Sequence, residues 1–378
     1  VTLHALAPAQ VAGDLLSAFY SRTGTEGEGP SVRYLWTDAF AVGAFLGLAR
    51  ETGDARQSTR ALRLVDAVHH TLGRHRADDP RRGWLSGLDE EEGQAHPTRG
   101  GLRIGKPLAE RPPGVPIDEA LEWERDGQYF HYLTKWMQAL DLAARHTRTA
   151  RFNLWARELA HTACAAFALE SPGRGGPVLA WKMSIDLRRP LVPSVGQHDA
   201  LDGFVTCTQL RAGARALASS GEGPTLDREI AFLAALIHPD RLYTEDPLGI
   251  GGLLLDASRL DQLREGGDPL AARLFSIAAH GAAAYFGGAD LRQPASRRLA
   301  FRELGLALGL RAAERRHGGS PPLLSPFLHR AGEIEAFWLD PVNRQGSTWA
   351  AHRDINDVML ATSLAPEGWV TLPALQGS

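Results

Sequence analysis

Apolar residues return at helical spacing along most of the chain, and they do so two segments at a time. "DAFAVGAFLGLARETG", from Asp38, is apolar almost all round, the pattern of a helix buried on every side. "STRALRLVDAVHHTLGRH" follows it, with Leu62, Val65, Val68 and Leu72 three or four residues apart, so this helix has one apolar stripe. Between them "ETGDARQ" holds Gly53, which can end the first helix in a left-handed cap. Such a pair is a helical hairpin whose first member is buried more deeply than its second.

The hairpin recurs. "ARHTRTAR" at 144–151 lines up with "ARETGDAR" at 49–56, inside "LAARHTRTARFNLWARELAHTACAAF". Further pairs are read at 199–218 with 225–237, 249–264 with 269–286, and 297–315 with 326–338. A helix near 350–364 can pair with one near 8–20 and close a ring. These are about twelve helices in six pairs. Stacked helical pairs either close into a toroid or continue as an open solenoid. One all-α domain over 1–378 is expected. Two insertions lie between hairpins: 76–118, rich in Gly, Pro and charge, and 171–197, where "VLAWKMSIDL" predicts a minor strand element near 178–187. Turns within hairpins are short, so one end of the ring is elaborated, and long loops of this kind are often functional.

The net charge of −3 gives no electrostatic case for nucleic acid or an anionic membrane. No run reaches the roughly 18 continuous apolar residues of a membrane span. The two cysteines, Cys164 and Cys207, sit in apolar helical patterns and lack zinc-ligand or CxxC spacing. Buried thiols, a reducing and hence cytoplasmic setting, no metal and no cofactor are the expectation.

The chemistry gathers just before the first helix of each pair: "YLWTD" ending at Asp38, "EWERD" ending at Asp126, "GQHDALD" over Gly196–Asp202, "YTEDPLGIGG" from Tyr243 and "STWAAHRDIND" from Ser347. Helix N-termini favour carboxylates, and a plain N-cap accounts for one acid. A cap needs a single oxygen, however, whereas these clusters also carry aromatics and histidines.

Taken together, the "TGD" turn, "LWTDA", "RDGQYFHYLTKW" and "GQHDALDG" resemble the six-hairpin glycosidase superfamily of (α/α)6 toroids. That superfamily includes unsaturated uronyl hydrolases, glucoamylase-like enzymes and the N-acylglucosamine 2-epimerase group. The resemblance implies a mouth that binds a small-molecule carbohydrate. Glycoside hydrolysis needs two carboxyl groups, about 5–5.5 Å apart for retention and about 6.5–9.5 Å for inversion. Asp126 with Asp199 is the expected pair, and Asp38 and His198 are further catalytic candidates. Trp36, Glu122, Trp123, Glu124, Tyr129, Gln197, Asp202, Trp349, His352 and Asp354 are expected to contact the sugar. Epimerisation through histidines, with His131, His198 and His352 available, is the alternative reaction. A non-catalytic sugar-binding or scaffold toroid is the alternative from another class.

Four local expectations complete the reading. The loop 76–118 should border the mouth and bring Trp84, Arg99, Arg103 and Lys106 near a substrate. His131 and Lys135 should pair with each other at i,i+4, and His69 and His70 should lie on a solvated surface. "GGLRIGKP" at 100–107 has the outline of a nucleotide P-loop, but Pro107 replaces the hydroxyl residue that would meet magnesium, so it should bind no nucleotide. Finally, Asp126→Asn should keep the fold and abolish turnover.

Overall fold

The structure is a computed structural model describing residues 7–25, 31–171, 176–264, 267–288, 291–316, 319 and 321–374. Helix takes 63% of it and the strands are few and short, so the chain is all-α. The long helices fall where the paired periods place them. Leu35–Thr52 is followed by Ala55–Leu72, Phe130–Thr147 by Ala150–Phe167, and Asp199–Ala216 by Asp227–Leu236. Pro247–Leu263 is followed by Pro269–Gly288, and Ala300–Glu314 by Arg330–Leu339. Gly53 takes φ 71° at the first turn, and Arg148 takes φ 54° at the aligned turn. Both are left-handed caps, and the second costs an ordinary L-residue some strain.

The chain is divided into two compact units interleaved in sequence, one comprising Val1–Arg22, Gly43–Arg60 and His238–Leu372, the other Thr23–Val42, Ala61–Ile237 and the residues from Pro373. In the first, Pro8–Arg22 packs on Arg353–Leu364, the expected pairing of the first and last helices. Arg22 fixes it with ion pairs to Asp354 (2.6 Å) and Asp357 (2.8 Å). Pro247–Leu263 packs on both Pro269–Gly288 and Ala300–Glu314, and Trp338 is fully buried.

In the second unit Phe130–Thr147 packs on Ala150–Phe167 and on Asp199–Ala216. Phe130, Leu133, Met137 and Leu140 are buried on that helix, as its periodicity requires. Each contributes about 1.5–3 kcal/mol relative to exposure. Asp141, also buried, accepts from Arg145, Asn153 and Gln209, which joins the three helices by satisfied polar contacts. His69 is buried too and accepts from Trp136 Nε1 (3.1 Å). That corrects the surface reading of "HH" for its first member: Trp136 needs an acceptor inside the core. Cys164 and Cys207 are free and buried. Among the described residues no helix is long and apolar enough to cross a membrane.

The strand expectation holds in shortened form. Gly176–Leu179 pairs antiparallel with Ala168–Ser171, and Lys182–Met183 with Gln128–Tyr129. Residues 184–187 turn away, because Ser184 Oγ bonds Asp186 and Leu187 adopts φ 60°. The insertion 76–118 is tied down along its length. Asp89 caps the short helix Glu90–Ala95, and Gln128 binds Gly100 O, Leu102 N and Ile185 O, stapling the loop to the second strand pair.

Candidate functional site

Asp126 is enclosed completely, with no exposed surface. Its carboxylate is bonded by Arg103 (2.6 Å) and Arg76 (3.3 Å) and by the backbone N–H groups of Gly105, Lys106 and Gly127. The Gly-rich stretch that outlines a P-loop is therefore an anion cradle, and the anion is the chain's own Asp126. Gly105 sits at φ 92°, and a Cβ there would lie 2.1 Å from the Arg33 carbonyl oxygen, so only glycine lets the loop close on the carboxylate. A carboxylate so saturated and so far from solvent organises a loop. It cannot meet a substrate proton, which removes Asp126 from the pair expected to do catalysis.

Glu122 is likewise consumed: it is buried between Arg111 (3.1 Å) and the fully buried Lys182 (3.1 Å). Arg103 and Arg99 spend their charge on Asp126 and Glu158, and Trp84 is buried, so three of the four loop residues expected at a substrate are structural. The fourth, Lys106, holds its ammonium 5.5 Å from the Tyr34 ring.

Tyr34 belongs to an aromatic cluster. The two-residue ladder sets Tyr129 opposite Lys182, and Phe130 N–H donates to Trp181 O, bringing Trp181 beside the start of the helix Phe130–Thr147. Tyr129 and Trp181 lie 5.1 Å apart at 36°, and His131 stacks parallel to Trp181 at 6.2 Å and 9°. Tyr132 meets Tyr129 edge-on, and its hydroxyl shares a 2.6 Å hydrogen bond with Tyr34. Trp123 packs edge-on against Trp181 and is 53% exposed, so the cluster opens to solvent there. Trp181, Tyr34 and Tyr132 are functional candidates that the sequence does not single out. The signal available for Trp181 is an aromatic residue inside the predicted strand insertion.

The third part of the site is the start of the helix Asp199–Ala216. His131 Nδ1 lies 4.0 Å from Asp199 Oδ1. Neither His131 Nδ1 nor Asp199 Oδ2 has a hydrogen-bond partner among the described residues, although both atoms are buried. Gly196 folds back over this carboxyl, and a Cβ there would lie 2.1 Å from it. Burial, and then the neighbouring Asp202, push the Asp199 carboxyl up to about 7, while Lys135 pulls the other way. Burial holds the His131 imidazole down to about 4, against the pull of Asp202. Near pH 7 Asp199 is thus close to half-protonated and His131 is neutral. Asp202 ties the two helices together: it accepts from Thr134 and pairs with Lys135 at 2.8 Å. Lys135 and His131 therefore each turn to the neighbouring helix, which corrects the expected pairing between them.

The remaining candidates scatter. Asp38 is buried, accepts from Tyr34 N–H (3.0 Å) and pairs with Arg33 (3.3 Å), the position of a local cap. Trp36 is buried against Phe40. Glu124 and Gln197 are exposed, and His198 precedes the Asp199 helix half-buried. Trp349 is buried against Trp338, His352 packs edge-on to Phe301, and Asp354 pairs with Arg22, all in the other compact unit. Asp246 there caps the helix Pro247–Leu263 through Gly249 N–H. Among the described residues no group of His, Cys, Asp and Glu could hold a metal ion.

No model of a known protein family matches the chain, and no curated protein resembles it in sequence. Solved structures do resemble it in fold. A GH76 α-mannanase of Bacteroides thetaiotaomicron superposes with a TM-score of 0.58 at 9% identity, over 95% of this chain and 96% of that one. A sugar epimerase from a ruminal bacterium superposes with a TM-score of 0.56 at 11% identity, over 94% and 97%. The likeness is one of fold, the all-α (α/α)6 toroid. At such identities the likeness fixes fold alone, and chemistry has to come from the site.

Proposed function

We propose that this protein is a carbohydrate-active enzyme working by general acid–base chemistry, with Asp199 as the proton donor beside an aromatic sugar-binding platform. The observation that carries the reading is the Asp199 carboxyl itself. It is enclosed, raised to about 7, has an unpartnered oxygen, and stands next to a histidine stacked on Trp181. A carboxylic acid still protonated near neutral pH is what cleavage of a glycosidic bond requires of its acid. Trp123 and Trp181, backed by the buried Tyr129, present the flat apolar faces that suit the C–H faces of a sugar ring. The insertions 76–118 and 171–197 supply Lys106 and Trp181 to this cluster, which supports their place at a substrate mouth.

Hydrolysis needs a second carboxyl, and among the described acids whose charge reaches the aromatic cluster Glu124 is uncommitted. It is exposed, and its charge is felt by both Tyr34 and Tyr129. In this scheme Asp199 protonates the leaving oxygen while Glu124 activates water or attacks the anomeric carbon. One observation favours epimerisation as a second reading: the neutral His131, with its free Nδ1, could take a proton next to a sugar carbonyl while Asp199 serves as its acid. The two structural relatives, a mannanase and an epimerase, are compatible with either reaction. The test is a panel of aryl glycosides, oligosaccharides and reducing sugars, run with wild type, Glu124→Gln and His131→Gln. Loss of released sugar in Glu124→Gln alone supports hydrolysis. Loss of sugar interconversion in His131→Gln alone supports epimerisation, and no turnover of any substrate by wild type leaves a binding or scaffold protein.

A further inference from the structure

Within the compact unit that contains His238–Leu372, a cavity of about 280 Å³ lies where the end of Pro269–Gly288 meets the starts of Pro247–Leu263 and Ala300–Glu314. Its described lining carries Tyr285, Gln293, Arg297, Arg298, Arg302 and Glu303. Three guanidinium groups thus face one carboxylate. Glu303 is fully spent: Arg298 binds it through two nitrogens (2.8 and 2.6 Å), and Trp338 Nε1 donates to it at 2.8 Å. Arg298 is held in place by the Phe337 ring, 3.7 Å from its Cζ. Arg302 gives one nitrogen to Asp246 at the rim (2.5 Å).

Two donors are then left over. Arg302 Nε is buried and has no acceptor among the described residues. Arg297 is exposed, and none of the described residues takes up its side-chain charge. Even with Asp246 counted, one positive charge is unmatched among the described groups. Guanidinium forks match the oxygens of phosphate in geometry as well as charge, and the volume, just under the range of drug-sized pockets, suits a small anion.

We propose that this cavity binds a small oxyanion of the phosphate type, either inorganic phosphate or the phosphomonoester of a small polyol or sugar. Arg297 and Arg302 Nε grip the oxygens, and the Gln293 amide and Tyr285 hydroxyl complete the shell. The proposal concerns a different compact unit from the acid–base site and does not rest on that reading.

Titration calorimetry tests it, with inorganic phosphate, glycerol 3-phosphate and acetate as separate probes at constant ionic strength. Wild type is expected to bind phosphate saturably at one site, with acetate at least tenfold weaker. Arg297→Glu, a change at an exposed side chain that should leave folding intact, is expected to weaken phosphate at least tenfold. Arg302→Gln should weaken it comparably, and circular dichroism checks that both variants are folded. Tighter binding of glycerol 3-phosphate assigns the site to an ester, and equal or weaker binding assigns it to free phosphate. No saturable binding of either phosphate probe, acetate binding as tightly, or undiminished affinity in Arg297→Glu would each overturn the proposal.

Discussion

Asp199→Asn should make the protein more stable at alkaline pH and leave its stability unchanged in relative terms at acid pH. The carboxyl is raised from 3.8 to about 7 by burial and by Asp202. At 1.36 kcal/mol for each tenfold change in proton affinity, the ionised form costs the folded state about 4 kcal/mol more than the unfolded one. The sign follows from proton counting. Between about pH 4 and pH 7 the folded state holds a proton that the unfolded state has released, so stability falls as pH rises through that window. Below it both states are protonated and the penalty is absent; above it the penalty is complete. Asparagine cannot ionise and escapes it. Any difference in hydrogen bonding of the amide is a constant offset, and His131 titrates in both proteins, so the pH dependence of the difference isolates Asp199. Urea unfolding at intervals from pH 4 to pH 9 measures it. The gap between variant and wild type should open by up to about 4 kcal/mol across the range. A gap independent of pH, or one that closes as pH rises, would refute the raised carboxyl and with it the proposed proton donor.

Three further outcomes follow from the same geometry. Asp126→Asn should destabilise the fold by about 3–5 kcal/mol, because it strands the buried Arg103 and the Arg76 guanidinium; an unchanged melting temperature would show that the cradle is not structural. Trp181→Ala should raise KM for a confirmed sugar by up to about tenfold, the worth of one aromatic face, and leave kcat within a few-fold; a large loss in kcat alone would place Trp181 outside the binding platform. Activity should decline as pH rises above about 7, where Asp199 ionises, and Lys135→Met should move that decline to higher pH, since Lys135 is the charge that draws the Asp199 carboxyl down; a shift to lower pH would contradict the assigned electrostatics.

The helical pairs were legible in the sequence because burial writes a period into it. Val65, Val68 and Leu72 gave the buried stripe of one helix, which Leu64 joins in place of the half-buried Leu62, and the Gly53 turn gave its boundary. The site was legible only in part, and the reason is physical. An aspartate that caps, one that anchors a loop and one that donates a proton look alike in sequence, since what separates them is which donors the fold brings to each. Asp38 met its own local N–H, and Asp126 met Arg103 and Arg76, which lie in the preceding loop. Asp199 met a histidine and little else. Phe130, Leu133, Met137 and Leu140 could be assigned to packing from their spacing, whereas the turn of Lys135 toward Asp202 depended on a helix 67 residues further on. Trp181 escaped notice because nothing in a strand-like run says that it will be drawn up beside Tyr129 by a two-residue ladder.

The most direct test of the central claim is turnover by wild type and Asp199→Asn on one carbohydrate taken from the substrate panel, measured at pH 6 with both proteins shown to be folded. A proton donor at Asp199 requires the variant to lose about 10²–10⁴-fold in kcat, with sugar affinity preserved. Turnover by Asp199→Asn at the wild-type rate would contradict it and leave Asp199 a buried carboxyl outside the reaction.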